Sequence, residues 1–301
     1  MLGLVVVNYA SSALLEANVG REPFDHTQVV VVDNFSSVLE RERVRRLCEV
    51  RGWTLVEQPD NRGFGAGANA GAVVSRGLGC RSVLLVNPDL HVSPAVVEAL
   101  RLETVRNPWA VVAPRLVDSC GRTVFEGHSL NLVDGRIRNA ATAAAAPDPA
   151  AEPLVWLTAA CLAVHLDLWE RVSGFDEDYF MYWEDVDFNH RCLLAGARAV
   201  LRSDLVATHD QGGTQGVRRG RAKSALYYRY NIRNRMVFAV RRLDRRRVLR
   251  WLAATPRVGY EIWLHGGRRQ LWEAPAGALA ALRGTAAAVV VGVRGLCAAP
   301  R

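Results

Sequence analysis

Four short apolar runs, each ending in a polar residue, recur through the first third of the chain. They are Leu2–Asn8, Val29–Asp33, Trp53–Glu57 and Ser82–Asn87. Apolar runs of this length are typical of strands that are buried on both faces of a parallel sheet. The segments between and after them have the length and caps of helices, which predicts an α/β fold. The predicted helices are Ser11–Gly20, Val38–Arg51, Gly65–Arg76 and Ala95–Arg106.

The pattern changes in the second half of the chain. Residues 139–153 are rich in alanine and proline, which favours a mobile loop or linker. Leu154–Val164 is predicted as a strand, Trp183–Ala195 as a helix, and Ala197–Leu201 and Leu205–His209 as short strands. From Ala222 onward, apolar residues recur at helical spacing. We therefore expect an α/β domain over 1–221 and a C-terminal helical region over 222–301.

Composition narrows the classes of protein. Half of the residues are hydrophobic, so the chain can bury a core, and the net charge is +8. That charge suits an anionic membrane surface, a nucleic acid, a diphosphate-bearing substrate or simply a solvated helix face. The sequence has no zinc-finger spacing and no alternation of aromatic and basic residues, so we expect no nucleic-acid partner. The late arginines are Arg218, Arg219, Arg221, Arg241, Arg242, Arg245, Arg246 and Arg247.

Neither of the two apolar segments near the ends of the sequence has the features of a targeting signal or of a membrane-spanning helix. Leu2–Asn8 lacks the basic flank and the cleavage site of a secretory signal. Arg283 and Arg294 bracket the late apolar stretch, which leaves about ten residues where a span needs ~20. We expect a soluble, cytoplasmic protein. Its helical region, with Trp251, Trp263 and Trp272, would rest on the inner membrane face, contact a second copy, or only cap the α/β domain.

Polar residues follow each of the four predicted strands. Ligands of open α/β sheets gather at the carboxyl ends of the strands, so this arrangement predicts a polar ligand across that edge. The oxygens of Asn87 and Asp89 suit Mg²⁺ or Mn²⁺, which usually also contact substrate phosphates. His209 ends a later strand and is a candidate further ligand. The strand ends are Asn8-Tyr9, Asp33-Asn34, Asp60-Asn61-Arg62 and Asn87-Pro88-Asp89.

A glycine-rich run, Gly63–Gly71, has three interpretations. Gly63, Gly65 and Ala68 match a dinucleotide fingerprint, which would make the protein a dinucleotide-dependent oxidoreductase. That fingerprint belongs at the first strand-to-helix turn, whereas this run follows a later strand. The run could instead be a turn that presents Asn69 to a ligand, or a helix packed closely on the sheet.

Three acidic residues open the helix predicted at Trp183–Ala195. Acidic residues complement the dipole at a helix start, which is a purely structural interpretation. However, Glu184 and Asp185 lie among aromatic residues, and a partly desolvated carboxylate can act as a general base near neutral pH. Asp187 is followed four residues later by Arg191, so we interpret it as half of a structural ion pair.

The order of these motifs resembles that of family 2 glycosyltransferases of the rhamnosyltransferase-like branch. The resemblance covers roughly residues 2–240. It implies a GT-A fold, in which helices flank a mixed sheet; the helical pattern from Ala222 onward would form a C-terminal extension of it. It also implies inverting, metal-dependent transfer of a sugar such as rhamnose from a nucleotide diphosphate to an acceptor hydroxyl. The matching segments are Val5–Tyr9, Val31–Ser36, Asn61–Asn69, Asn87–Asp89, Gly174–Glu177, Tyr182–Asp187 and His209.

The same resemblance implies a role for each candidate residue. The donor, a dTDP- or UDP-sugar, would be held by Asn8, Tyr9, Asp33, Asn61, Arg62, Asn69, Asn87 and Asp89. Asp89 and His209 would bind the Mg²⁺ or Mn²⁺ ion. Asp185 would be the catalytic base, with Glu184 beside it in the site of a glycan, lipid-linked or small-molecule acceptor. A non-catalytic binding protein on a transferase fold is the remaining alternative.

Overall fold

The structure, a computed structural model, describes residues 1–145, 151–209, 223–267 and 275–298. Its main sheet is built around the four predicted strands. These pair in parallel in the order β3-β2-β1-β4. Both β1 and β4 are buried along their whole length, which is why their sequences are continuously apolar. The four strands are β1 (Leu2–Asn8), β2 (Thr27–Asp33), β3 (Thr54–Glu57) and β4 (Ser82–Val86).

The four predicted helices are confirmed, with their ends within two residues of the predicted ones. Serine side chains fix two of the starts: Ser37 accepts a hydrogen bond from the Glu40 N–H, and Ser93 accepts one from the Val96 N–H. The helices are α1 (Ser12–Asn18), α2 (Val38–Arg51), α3 (Phe64–Gly77) and α4 (Pro94–Arg106).

Eight further strands follow within the described ranges. They are β5 (Leu90–His91), β6 (Ala110–Val117), β7 (Thr123–Phe125), β8 (His128–Asn131), β9 (Ile137–Asn139), β10 (Pro153–Trp156), β11 (Cys161–His165) and β12 (Arg198–His209). The main sheet continues from β4 through β11, β6 and β12 to β5, and β11 is antiparallel to both of its neighbours. The expected mixed α/β sheet is therefore confirmed. The two short strands predicted at the end of this region are one strand, β12, whose register against β6 shifts between Arg202 and Val206.

Two predictions for residues 139–164 are wrong. The alanine-rich stretch begins with a helix, α5 (Ala140–Ala145), because alanine has the highest helix propensity; residues 146–150 lie outside the described ranges. The strand predicted at Leu154–Val164 is two strands in different sheets: β10 pairs with β8, and β11 pairs with β4. The turn between them, residues 157–160, follows from that change of sheet, which the apolar pattern does not record.

The small sheet β10-β8-β9 and the later helices form a second core. The helices are α6 (Leu166–Arg171), α7 (Glu184–Leu194), α8 (Ala225–Arg242), α9 (Arg245–Leu264) and α10 (Pro275–Cys297), with a 3₁₀ turn at Glu177–Tyr179 before α7. This core joins Tyr179 and Trp183 to Trp251 and other residues of the helical region. The boundary at 221/222 lies outside the described residues, as do Arg218, Arg219, Arg221 and Trp272. The division into two domains stays a prediction.

Helix α10 corrects the expectation that the late apolar stretch is too short to span a membrane. Among the described residues it is the one helix whose length and composition would allow a crossing. The sequence analysis treated Arg283 and Arg294 as the two ends of the apolar segment, but the helix continues through both of them. A third of its most apolar window is buried against the rest of the protein.

Candidate active site

The carboxyl ends of β1 and β2 form a buried polar floor. Asn8 lies opposite Asp33 in the parallel register, and both side chains are fully buried. Arg41 donates to Asp33 Oδ2 at 2.6 Å. Asp33 Oδ1 and both polar atoms of the Asn8 amide have no hydrogen-bond partner among the described residues. Tyr9, the next residue, is exposed. Since an unsatisfied buried polar group is costly, this floor is suited to a polar ligand.

Asn34 organises the turn beside this floor. Its amide donates to Asn61 Oδ1 and to the Gly63 carbonyl, both at 3.0 Å, and its Oδ1 accepts from the Arg62 N–H at 3.3 Å. The Arg62 guanidinium extends to Glu177 at 2.8 Å. Asn61 and Arg62 are therefore brought to the same edge as Asn8 and Asp33, as predicted.

The glycine-rich run packs α3 closely on the sheet. A Cβ at Gly67 would lie 2.7 Å from Val7, and one at Gly71 would lie 2.3 Å from Val5. Close packing is therefore the interpretation that holds for these two glycines. The run follows β3 rather than β1, so its placement gives no support to the dinucleotide fingerprint.

Asn69 holds a neighbouring loop. Its amide donates to the Phe175 carbonyl at 2.9 Å and to Glu177 at 3.1 Å, and its Oδ1 accepts from the Phe175 N–H at 2.9 Å. Both ends of the amide are thus engaged within the protein. Its assignment to the donor stays a prediction.

Asp89 and His209, 120 residues apart in sequence, meet at the edge of the sheet. His209 Nε2 lies 3.2 Å from Asp89 Oδ1, and both residues are buried. Strand pairing explains the contact, because β5 places Leu90 opposite His209 on β12. Asn87 lies two residues before Asp89, and its N–H donates to the Ala160 carbonyl at 2.9 Å. No cluster of three or more acidic, histidine or cysteine ligands occurs within the described ranges.

Glu184 and Asp185 begin α7. Asp185 Oδ1 accepts from the Val186 N–H at 2.8 Å, and its Oδ2 accepts from the Ala159 N–H at 3.4 Å. Burial raises the pKa of Asp185, although these donors and the Thr158 hydroxyl oppose the rise. Burial also raises the pKa of Glu184, and the charge of Asp185 raises it further. Glu184 Oε2 is buried without a partner among the described residues. The site therefore contains carboxyls able to accept a proton near neutral pH.

The turn that leads into α7 is conformationally strained. Phe180, Tyr182 and Trp183 adopt positive φ angles of 64°, 65° and 75°. Such angles cost each non-glycine residue on the order of 1–3 kcal/mol, so the surroundings must hold them. On one side, the Phe64 N–H donates to the Phe180 carbonyl at 2.8 Å. Gly63 permits this approach, because a Cβ there would lie 2.2 Å from the same carbonyl oxygen.

On the other side, Asn234 of α8 holds the same turn. Its fully buried amide donates to the carbonyls of Tyr179, Met181 and Tyr182 at 2.8–2.9 Å. Two ring contacts with α8 flank it: Phe180 stacks on Tyr230, and Tyr182 meets Tyr227 edge-on. The helical region thus supports the backbone that presents Glu184 and Asp185.

Asn189 ties the 157–160 turn to α7. It donates to the carbonyls of Leu157 and Asp185 at 2.9 and 2.8 Å, and it accepts from the Leu157 N–H at 3.1 Å. The sequence analysis missed both Asn189 and Asn234, because each acts through backbone groups that are distant in sequence. A polar residue on the apolar stripe of a helix was the available signal.

Asp187 has the structural role that its spacing predicts. Its buried carboxylate pairs with Arg191 at 2.7 Å and with Arg242 at 2.6 Å, and it accepts from the Tyr179 hydroxyl at 3.2 Å. Arg241 pairs with Asp176 and Asp178. These two late arginines are therefore used within the protein.

No family model matches the sequence. Curated proteins do match it, and two of them are described here. The chain is 25% identical over 191 residues to the low-salt glycan biosynthesis hexosyltransferase of Haloferax volcanii. It is 30% identical over 148 residues to the N-acetylglucosaminyl-diphospho-decaprenol L-rhamnosyltransferase of Mycobacterium tuberculosis. The matches cover 63% and 44% of this chain. The resemblance to glycosyltransferases is confirmed. The chain spans 61% and 48% of the length of these two relatives.

Solved glycosyltransferases share the fold. The mannosyltransferase of Pyrobaculum calidifontis, in complex with GDP-Man and Mn²⁺, matches at 17% identity and a TM-score of 0.55, over 98% of this chain and 86% of its own. TarS from S. aureus, residues 1 to 349, matches at 14% identity and a TM-score of 0.51, over 97% of this chain and 90% of its own. At these identities the likeness concerns the fold, which is GT-A.

Proposed function

We propose that the protein is an inverting glycosyltransferase that moves a sugar from a nucleotide diphosphate to an acceptor hydroxyl. The contact between Asp89 and His209 carries this proposal. It gathers two metal-ligating side chains at the sheet edge where Asn8 and Asp33 present buried polar atoms without partners. A polar floor beside a cation site suits a nucleoside diphosphate, which has a hydrogen-bonding base and a charged diphosphate.

The residues present fit a divalent cation. A carboxylate oxygen and an imidazole nitrogen are common ligands of Mn²⁺, and Mg²⁺ accepts the carboxylate readily. His209 Nδ1 has no partner among the described residues, so the ring is not fixed by a second protein contact. Asp89 and His209 would hold the ion and leave positions for diphosphate oxygens. When bound, the ion would stabilise the negative charge that develops on the leaving diphosphate.

Asp185 would act as the base. An acceptor hydroxyl is a weak nucleophile until its proton is removed, and the raised pKa of Asp185 suits that role. The oxygen then attacks the anomeric carbon from the face opposite the diphosphate, so the new bond has inverted configuration. Glu184, with its more strongly raised pKa, would remain protonated and could donate a hydrogen bond to the acceptor.

The relatives suggest the substrate classes. The mycobacterial relative is named for transfer of L-rhamnose to a lipid-linked N-acetylglucosamine. The Pyrobaculum neighbour was solved with GDP-Man and Mn²⁺. For this chain we propose a dTDP- or UDP-sugar as donor, dTDP-rhamnose being the first to test, and a lipid-linked acceptor.

The test measures melting temperature with dTDP, UDP, GDP and NAD⁺, each with and without Mn²⁺. A ligand that binds only the folded protein raises its melting temperature. We expect a metal-dependent rise with at least one nucleoside diphosphate, and loss of that rise in Asp89→Ala. Asp167→Ala is the matched control, because Asp167 is an exposed aspartate that pairs with Arg76 and lies beside the start of β4, at the opposite end of that strand from Asp89. A rise with NAD⁺ alone would instead support the oxidoreductase.

A further inference from the structure

The two faces of α10 are built from different residues. Its inner face is a seam of small residues that lets neighbouring helices approach closely. A Cβ at Gly284 would lie 2.8 Å from the Arg229 carbonyl oxygen of α8, and one at Gly292 would lie 2.8 Å from Leu252 of α9. The residues buried on this face are Gly277, Ala280, Ala281, Gly284, Ala288 and Gly292.

The outer face of α10 is apolar and exposed. Its large side chains recur at helical spacing, so they share one side of the helix. They are Leu279, Leu282, Val289, Val290 and Val293. Leu282 is the most exposed of them, at 68%. Five such side chains on one helix face form a contiguous apolar patch, which in soluble proteins usually marks an interaction site.

Positive charge predominates on the three helices that include this face. Helices α8 and α9 carry five arginines each and α10 carries two, against one acidic residue, Glu261. Some of these arginines pair within the protein, for example Arg247 with Glu152. The exposed arginines of these three helices with no ion pair among the described residues are Arg229, Arg245, Arg246, Arg250, Arg283 and Arg294. An apolar helix face among unpaired arginines complements a surface with apolar chains and anionic headgroups.

We propose that the outer face of α10 docks on an anionic lipid surface, with α10 lying in the interface plane. The close seam with α8 and α9 keeps the helix in its bundle, so only the outer face is available to lipid. A second copy of the chain fits this face less well. A two-fold contact through it would bring Arg283 and Arg294 of both copies together, with no acidic residue on α10 to neutralise them.

The test is sedimentation of the full chain with vesicles of phosphatidylcholine, alone or mixed with phosphatidylglycerol. We expect the protein to sediment with the mixed vesicles and far less with the neutral ones. Leu282→Glu and Val290→Glu should each weaken binding by roughly tenfold or more, since each places a charge where an apolar side chain would be buried. Val50→Glu is the matched control, because Val50 is an 84% exposed residue of α2. This variant should bind vesicles as well as the wild type does.

Melting temperatures of the variants will verify that they fold. The proposal fails if the wild type stays in the supernatant with mixed vesicles at low salt, or if Val50→Glu weakens binding as much as the α10 variants do. It also fails if the protein is a dimer that Leu282→Glu dissociates, because a second copy would then cover this face. Vesicle binding does not depend on transferase activity, so either result stands whether or not nucleoside diphosphates bind.

Discussion

The two sides of the candidate site use their buried polar groups in opposite ways. At the ends of β1 and β2, Asn8 and Asp33 keep buried polar atoms without partners among the described residues. Beside the start of α7, the amide of Asn189 makes three hydrogen bonds within the protein and that of Asn234 makes four. The first side leaves hydrogen-bonding capacity for a ligand. On the second side, Asn234 holds the strained turn and Asn189 holds the 157–160 turn, so that the proposed base Asp185 is already positioned before substrates arrive.

The largest expected effect is on the side of the base. Asp185→Asn keeps the size of the side chain and an oxygen that can accept from the Val186 N–H, but removes its basicity. We expect transfer to fall ~10²–10⁴-fold, the usual contribution of a general base, with donor binding intact. Steady-state kinetics measures the rate of transfer. The rise in melting temperature on addition of a nucleoside diphosphate measures donor binding. Near-normal turnover would contradict the assignment, and loss of donor binding would move Asp185 to the donor side and leave Glu184 as the base.

Asn234→Ala tests the support of the turn. Without its hydrogen bonds, the backbone from Phe180 to Trp183 should relax and misplace Asp185. We expect kcat to fall about 100-fold with little change in donor affinity, since small misplacements cost that much. The control is Asn107→Ala, which removes an amide hydrogen bond to Glu103 at the end of α4. If both variants were less stable but kept the kcat of the wild type, Asn234 would have only a structural role.

Asn8→Leu tests the other side, and its two effects should have opposite signs. Leucine has the same number of side-chain heavy atoms and the same branching as asparagine but no polar atoms to leave unsatisfied. Unfolding of the ligand-free protein should therefore cost about 1–3 kcal/mol more, while donor affinity falls by roughly tenfold or more. Denaturant titration and the melting shift with nucleoside diphosphate measure the two. Asn189→Leu, the matched change on the side of the base, should destabilise the protein. Destabilisation by Asn8→Leu would erase the contrast between the two sides.

The smallest effect concerns pH. The pKa of Glu184 in the folded protein lies above its ordinary value, so the protonated carboxyl stabilises the folded state relative to the unfolded state. This stabilisation is complete at low pH. That contribution is lost as the pH rises through the raised pKa. The glutamine of Glu184→Gln cannot ionise, so the variant does not lose this stabilisation at higher pH. From mildly acidic to mildly alkaline buffer, we expect the difference in melting temperature between the variant and the wild type to shift by a few degrees in favour of the variant. Parallel curves for the two proteins would contradict this.

The strands and helices of the first half were predictable because each is recorded locally. The apolar run of β1 and the serine cap of α2 are properties of adjacent residues. The meeting of Asp89 and His209 followed from the resemblance, and pairing of β5 with β12 explains it. The turn at residues 157–160 was not predictable, because a strand that changes sheets keeps the same apolar pattern. Asn234 was missed for a related reason: its partners are carbonyl groups, which every sequence contains.

The bonds from Asn234 to the turn before α7 have a practical consequence for anyone who trims the protein by its motifs. A fragment that ends before α8 retains every residue of the family resemblance up to His209. It nevertheless loses the side chain that holds three carbonyls of the turn, and the second core loses Trp251. Such a fragment would bind nucleotide better than it transfers sugar. Inactivity of a trimmed protein would then report a missing scaffold rather than a wrong substrate.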